Sequence, residues 1–172
     1  MKASGFAPPG AAAKDAAAFG VLVRQHQSAL RGFLRRLTRG DHALADDLAQ
    51  ETFLEAYRKQ EQFRGDSPFG GWLYAIAWSR FLMTARRRKL EPLDDEDGGP
   101  VLPEADSLLR LDMEKALARL RAPERAALTL CFAVGMGHEE AAATLGMPLG
   151  TLKSHVARGR EKLKTLLQDH AP

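Results

Sequence analysis

Residues able to read a nucleic acid are grouped near the end of the chain, in HEEAAATLGMPLGTLKSHVARGREKL (138–163). The spacing predicts a short helix, a tight turn and a longer basic helix, which together make a helix-turn-helix. Ala141, Ala142 and Ala143 allow the two helices to approach closely. Gly146 suits the positive φ of a helix end, and Pro148 pre-sets the entry to the last helix. Thr151, Lys153, Ser154 and His155 then fall in its first turns, where side chains reach base edges and phosphates, and Arg158 follows further along. Arg160, Lys162 and Lys164 extend the positive charge. An ordinary helical hairpin with a solvated basic face is the plainer reading. The turn chemistry, the alanine run and the charge placement together favour DNA.

A second constellation is GWLYAIAWSRFLMTARRRK (71–89), in which Trp72, Tyr74, Trp78 and Phe81 interleave with Arg80, Arg86, Arg87, Arg88 and Lys89. No acidic residue occurs from Ser67 to Leu90. Aromatic rings stack on unpaired bases and arginines grip phosphates, the combination that holds single strands. A buried Trp72 and Phe81 with a solvated basic helix end is the bland alternative.

The third constellation, LADDLAQETFLEAY (44–57), gathers Asp46, Asp47, Gln50 and Glu51 beside Leu48 and Phe53. An acidic and apolar patch on a basic segment suggests a protein partner. His42 and Asp46 share a helix face at i,i+4, with Glu51 nearby, so a metal site is a third, weaker possibility. Segments with G-x-S-x-G, G-x-x-x-x-G-K-S/T, G-x-G-x-x-G or C-x-x-C spacing do not occur. Cys131, inside LTLCFAV, reads as an inert core residue.

Helical spacing of apolar residues must position all three. Phe19, Leu22, Val23, Leu30, Phe33, Leu34 and Leu37 mark a first helix, stopped by Gly40, and Asp41 can cap the second. FRGDSPFGG (63–71) is rich in turn formers, and Pro68 stands near the start of a third helix running to about Lys89, with Leu73, Ile76, Ala77 and Phe81 inward. Leu109, Met113, Leu117 and Leu120 resume the spacing. Pro123 opens a further helix with Leu128, Cys131 and Val134 inward, ended by Gly135 and Gly137. Leu152, Val156, Leu163 and Leu167 line the last one. No segment alternates with period two. The expected fold is all-α: a disordered tail (1–17), a helical domain (18–90), a flexible acidic linker (91–107) and a second helical domain (108–168).

The charge follows the same division. Net charge is only +3, from 25 Lys and Arg against 22 Asp and Glu. Residues 19–90 hold 13 basic and 7 acidic side chains, residues 91–107 hold 7 acidic and no basic ones, and residues 108–172 hold 10 basic and 7 acidic. Two basic blocks around an acidic bridge point toward a polyanionic partner. The single cysteine excludes an internal disulfide and suggests a reducing compartment. No apolar run approaches the ~20 residues of a membrane span, and the N-terminus lacks the apolar core of a secretory signal. A cytoplasmic protein is expected.

In this order the motifs resemble the bacterial extracytoplasmic-function (ECF) sigma factors of the sigma-70 family. LADDLAQETFLEAYRK is similar to the polymerase-binding part of sigma region two. FRGDSPFGGWLYAIAWSRFLMTARRRK is similar to its promoter-melting part. LRAPERAALTLCFAVGMGHEEAAATLGMPLGTLKSHVARGREKLKTLL is similar to sigma region four. The resemblance covers about residues 19–90 and 108–167. It implies that Asp46, Asp47, Leu48, Gln50, Glu51 and Phe53 dock on the β′ clamp helices of core RNA polymerase, with the β flap as a further contact. It implies that Arg64, Ser67 and Phe69 sit in the loop that captures an unstacked base of the −10 element. Trp72, Trp78, Ser79, Arg80, Met83, Arg86, Arg87 and Arg88 would line the opened strand. Thr151, Lys153, Ser154, His155, Arg158 and Arg160 would serve the −35 element. Two positions depart from the family pattern: Ser79 stands where Asn is usual and Met83 where Asp is usual, so the family's −10 base preference does not carry over. His155 stands where Arg is frequent.

The resemblance implies an initiation factor, not an enzyme, without cofactor or small-molecule substrate, and with an anti-sigma factor as a further partner. Two alternatives stay open on the sequence: a helix-turn-helix regulator that binds duplex DNA alone, and a metal-dependent enzyme on the Asp46/Glu51 helix.

Overall fold

The computed structural model describes residues 16–88 and 108–168, with side chains from 112 onward in the second segment. The expected tail and linker lie almost wholly outside the described residues. All regular structure among these is helical. Helix α1 (Ala16–Leu37) begins three residues before Phe19 and presents Phe19, Leu22, Leu30, Phe33, Leu34 and Leu37 to the core. Arg39 and Gly40 turn the chain with φ of 56° and 88°. Asp41 then caps α2 (His42–Arg58), its side chain accepting from the Leu44 N–H at 2.9 Å. Such a cap satisfies an otherwise orphaned donor and contributes about 1 kcal/mol.

A short 3-10 turn (Gln60–Gln62) and an aromatic loop lead into α3 (Phe69–Arg88), which buries Leu73, Ile76, Ala77 and Phe81 as their spacing requires. The Pro68 carbonyl accepts from the Gly71 and Trp72 N–H groups at 3.0 and 3.4 Å, closing the first turn of α3. Helices α1, α2 and α3 pack on one another as a three-helix unit.

The second unit starts with α4 (Leu108–Ala118) and α5 (Ala122–Leu128). Pro123 is the second residue of α5, one place later than expected. The helix does not continue regularly: Thr129–Val134 is a π-helix, which periodicity did not announce. Its extra residue per turn leaves Cys131 and Val134 half-buried and pushes Phe132 out to 63% exposure. Gly135 ends it at φ 87°. Helix α6 (His138–Leu145) closes on Gly146 at φ 62°, and α7 (Leu149–Gln168) follows the turn through Pro148. Ala141 and Ala142 are buried at the α6–α7 approach, whereas Ala143 faces outward. Among the described glycines the tightest site is Gly159 of α7. A Cβ there would stand 2.7 Å from Leu128 Cδ1.

The two units are packed together. Helix α1 meets α4, α5 and the π-helix, and α3 meets α6. Arg36 of α1 pairs with Glu114 of α4 at 3.3 Å. Gly71 of α3 lies against α6, where a Cβ would come within 3.7 Å of Glu140 Oε1 and 3.9 Å of Thr144 Oγ1.

Candidate polymerase and promoter surfaces

Three faces carry the residues singled out in the sequence. On α2 the helical repeat sets Asp47, Gln50, Glu51 and Leu54 on one outward stripe. The other members of the motif point elsewhere. Leu48 is 1% exposed and belongs to the core, and Phe53 packs against the core edge. Asp46 is turned toward α1, in ion pairs with Arg31 at 3.4 Å and Arg35 at 3.9 Å. Leu54, 55% exposed, was missed by the sequence reading, although its spacing from Asp47 and Glu51 was visible. His42, Asp46 and Glu51 form no metal-ligating group: among the described residues no three His, Cys, Asp or Glu converge on one point.

The loop before α3 is held from below by rings. Phe63, Phe69 and Trp72 form a triangle with centroids 5.2–5.6 Å apart, and Phe19 and His26 flank Phe69 at 6.4 and 5.4 Å. Arg64 and Ser67 project from this base into solvent, and Gly65 turns the chain at φ 74°. Phe63 is a supporting residue that the motif reading passed over. Burial pushes the His26 imidazole below its usual pKa.

Along α3, Trp72, Ser79, Met83 and Arg86 fall on one stripe, with Arg87 beside it. Met83 is 59% exposed. Trp78 is not on this face. It is 6% exposed, its ring stacked on Phe81 at 5.7 Å, because its position on the helix points inward with Phe81. Arg80 turns aside as well: its guanidinium bonds Glu55 of α2, which Lys59 also engages at 2.5 Å. Burial alone would raise the Glu55 carboxyl, but its bonds to Lys59 and Arg80 outweigh that and hold it below the usual range. Arg88 is exposed at the end of the helix.

On α7, Thr151, Ser154 and Arg158 share an exposed face, and Ser154 Oγ donates back to the Gly150 carbonyl at 3.0 Å. Lys153 is exposed on a neighbouring flank. His155 is only half-exposed, tucked toward α5. Burial lowers its pKa first, then Arg158 and Arg121 lower it further against the opposing pull of Glu124. Lys162, counted above with the basic face, is committed to Glu124, whose carboxylate is 1% exposed and accepts from Nζ at 3.1 and 3.2 Å. Arg160 lies on the far flank of α7, its guanidinium 6.0 Å over the Phe132 ring, at the edge of a groove of about 350 Å³ lined by Met113, Leu117 and Leu128. It is therefore separated from Thr151, Ser154 and Arg158.

Comparison with known proteins gives the family of both units. Residues 22–91 match the family model for sigma-70 region 2, and residues 110–163 match that for sigma-70 region 4. The chain is 31% identical over 172 residues to an ECF RNA polymerase sigma-E factor of Haemophilus influenzae, covering 90% of this chain and 89% of that one. It is 38% identical over 160 residues to the ECF RNA polymerase sigma factor SigE of Mycolicibacterium smegmatis, covering 87% of this chain and 62% of the longer relative. Among solved structures it is similar to the sigma factor RpoE of Bartonella quintana in complex with the anti-sigma factor NepR, with TM-score 0.72, 32% identity, and 90% of this chain and 99% of that one covered. It is also similar to CnrH in complex with the cytosolic domain of CnrY, with TM-score 0.68, 28% identity, and 91% and 92% covered. The helix-turn-helix unit and the aromatic-basic unit are thus regions four and two of one protein, and the chain belongs to the ECF sigma factors of the sigma-70 family.

Proposed function

We propose that the chain directs core RNA polymerase to a set of promoters and melts their −10 element, each of its three exposed faces meeting one partner. The α2 stripe of Asp47, Gln50, Glu51 and Leu54 docks on the β′ clamp helices, the acidic rim steering the encounter and Leu54 supplying apolar contact. The α3 stripe takes the opened strand. Trp72 and Met83 offer stacking and apolar surface, Ser79 a hydrogen bond, and Arg86 and Arg87 phosphate contact. Arg64 and Ser67, above their aromatic base, receive a base taken out of the stack, at a cost of a few kcal/mol offset by pocket contacts. Thr151, Lys153, Ser154 and Arg158 enter the major groove at the −35 element, and region four meets the β flap. The protein acts in the cytoplasm, catalyses no reaction itself, and is kept silent by an anti-sigma factor. One similar structure is a sigma factor in complex with the anti-sigma factor NepR, and another is CnrH in complex with the cytosolic domain of CnrY.

The observation that carries the reading is the α3 stripe. A regulator that only binds duplex DNA has no use for an outward face of Trp72, Ser79, Met83, Arg86 and Arg87 one unit away from its helix-turn-helix. The test is transcription in vitro from a library of genomic fragments, with core polymerase and the purified protein, and transcript 5′ ends sequenced. New start sites sharing two upstream motifs are expected. Tight duplex binding with neither new starts nor polymerase binding would establish the stand-alone regulator instead.

A further inference from the structure

Arg125 is the largest fully buried side chain of the described structure, at 0% exposure. It stands on α5, in region four, and its guanidinium reaches two main-chain carbonyls. Nη1 donates to Leu120 at 2.5 Å, in the turn between α4 and α5. Nη2 donates to Leu37 at 2.7 Å, a residue 88 positions away in region two. Leu37 is the last residue of α1. Carbonyls at a helix C-terminus lack intrahelical donors, and the helix dipole makes that end attractive to a cation. The fork of one arginine thus joins the carboxyl end of a region-two helix to the turn that follows a region-four helix. Leu37 and Leu120 are themselves 0% exposed, so the bonds are made out of water, where a charged donor binds most strongly.

Elements named for 10 and 35 base pairs upstream lie about 25 base pairs apart, roughly 85 Å of B-form duplex at ~3.4 Å per pair. Helix α6 packs against both α3 and α7. The two reading helices are therefore separated by about one helix diameter, ~10–12 Å. Regions two and four must part before both elements are occupied, and parting them breaks the bond from Arg125 to Leu37.

We propose that Arg125 is a conformational latch that holds the free protein closed and must be released on the way to a promoter. The need for release rests on the sigma-factor reading above, whereas the closed state held by Arg125 does not. The test therefore uses the free full-length protein, without polymerase or DNA. Spin labels are placed at Ser28→Cys on α1 and Lys164→Cys on α7, both exposed, in a Cys131→Ser background. Pulsed electron resonance gives the distribution of distances between them. The unmodified Arg125 protein should give one short, narrow population. Arg125→Met keeps the length and removes the donors. Arg125→Gln keeps an amide for the nearby Leu120 carbonyl but is too short to span to Leu37. Either variant should raise the ratio of long to short distances at least about tenfold, the size expected for one charge-assisted hydrogen bond. If the Met variant loses its helical circular dichroism, the Gln variant decides. A folded variant with the parent distribution overturns the latch, as does a parent already broad and long. Unfolding of both variants overturns it too, since Arg125 would then be core of region four and not a device of the boundary.

Discussion

Leu54 changes how α2 is read. An apolar side chain 55% exposed between Glu51 and Arg58 lies outside the core formed by the described residues. Leu54→Ala should weaken binding to core polymerase by about 1–2 kcal/mol, an interface truncation of ordinary size, and leave the thermal midpoint within error. Asp47→Lys with Glu51→Lys should abolish binding with the fold intact, and unchanged affinity in a pull-down titration would refute the docking face. The two lowered histidines give a pH prediction. His26 and His155 hold a proton less readily folded than unfolded. As pH falls below their ordinary value of about 6.5, the unfolded chain binds more protons than the folded one, so stability falls between about pH 7 and 5. Denaturant melts across that range should show the fall, and His155→Asn should flatten part of it. At this scale the sequence was legible where a residue type has one use. Asp41 and Gly146 lie where their chemistry suggests, and Lys153 and Arg158 are exposed on α7. It was illegible where a side chain could serve core or surface equally: Trp78, Leu48 and Arg80 share a motif with exposed neighbours, and only the helical phase and an ion pair with Glu55 separate them.

Between elements, Gly159 is the glycine with the tightest fit among the described residues. Glycine inside a helix costs ~0.5–1 kcal/mol against alanine, so its presence in the middle of α7 marks a backbone that another helix crosses closely. The crossing partner is Leu128, with Glu124 Cβ also at 3.5 Å from the added atom. Gly159→Ala should therefore destabilise region four by roughly 1–3 kcal/mol despite the better helix propensity, read as a lower thermal midpoint. A gain in stability would mean that Leu128 yields freely. Helix existence and order followed from apolar spacing almost throughout, and α6 begins and ends where expected. Periodicity could not reveal the π-helix, because apolar residues at 128, 130, 131 and 134 suit an α-helix as well. The wider turn packs against α1 and α6, contacts that only the tertiary fold supplies.

At the scale of the whole molecule, regions two and four meet along a seam crossed by Arg125 and by the Arg36–Glu114 pair. It was not legible. Arg125 sits in an apolar run and looks like a helix-surface residue, and its decisive partner is a backbone carbonyl in the other region. Arg36 and Glu114 are two charges among many until the fold places them 3.3 Å apart. Adding core polymerase to the protein labelled at positions 28 and 164 should lengthen the distance by tens of Å, as spanning two promoter elements requires. An unchanged distance in a transcriptionally active complex would contradict the separation of regions.

The π-helix also bears on how this chain tolerates change in length. Such a segment equals an α-helix with one residue inserted. Deleting a residue between Thr129 and Val134 would return the segment to regular α-helical winding continuous with α5, ahead of the loop at Gly135–Gly137. The same deletion inside α2 or α7 would turn every downstream side chain by about 100° and scramble a working face. A change of one residue at 129–134 should therefore reshape the rim of the Phe132 groove while leaving the exposed stripes of α2, α3 and α7 in register.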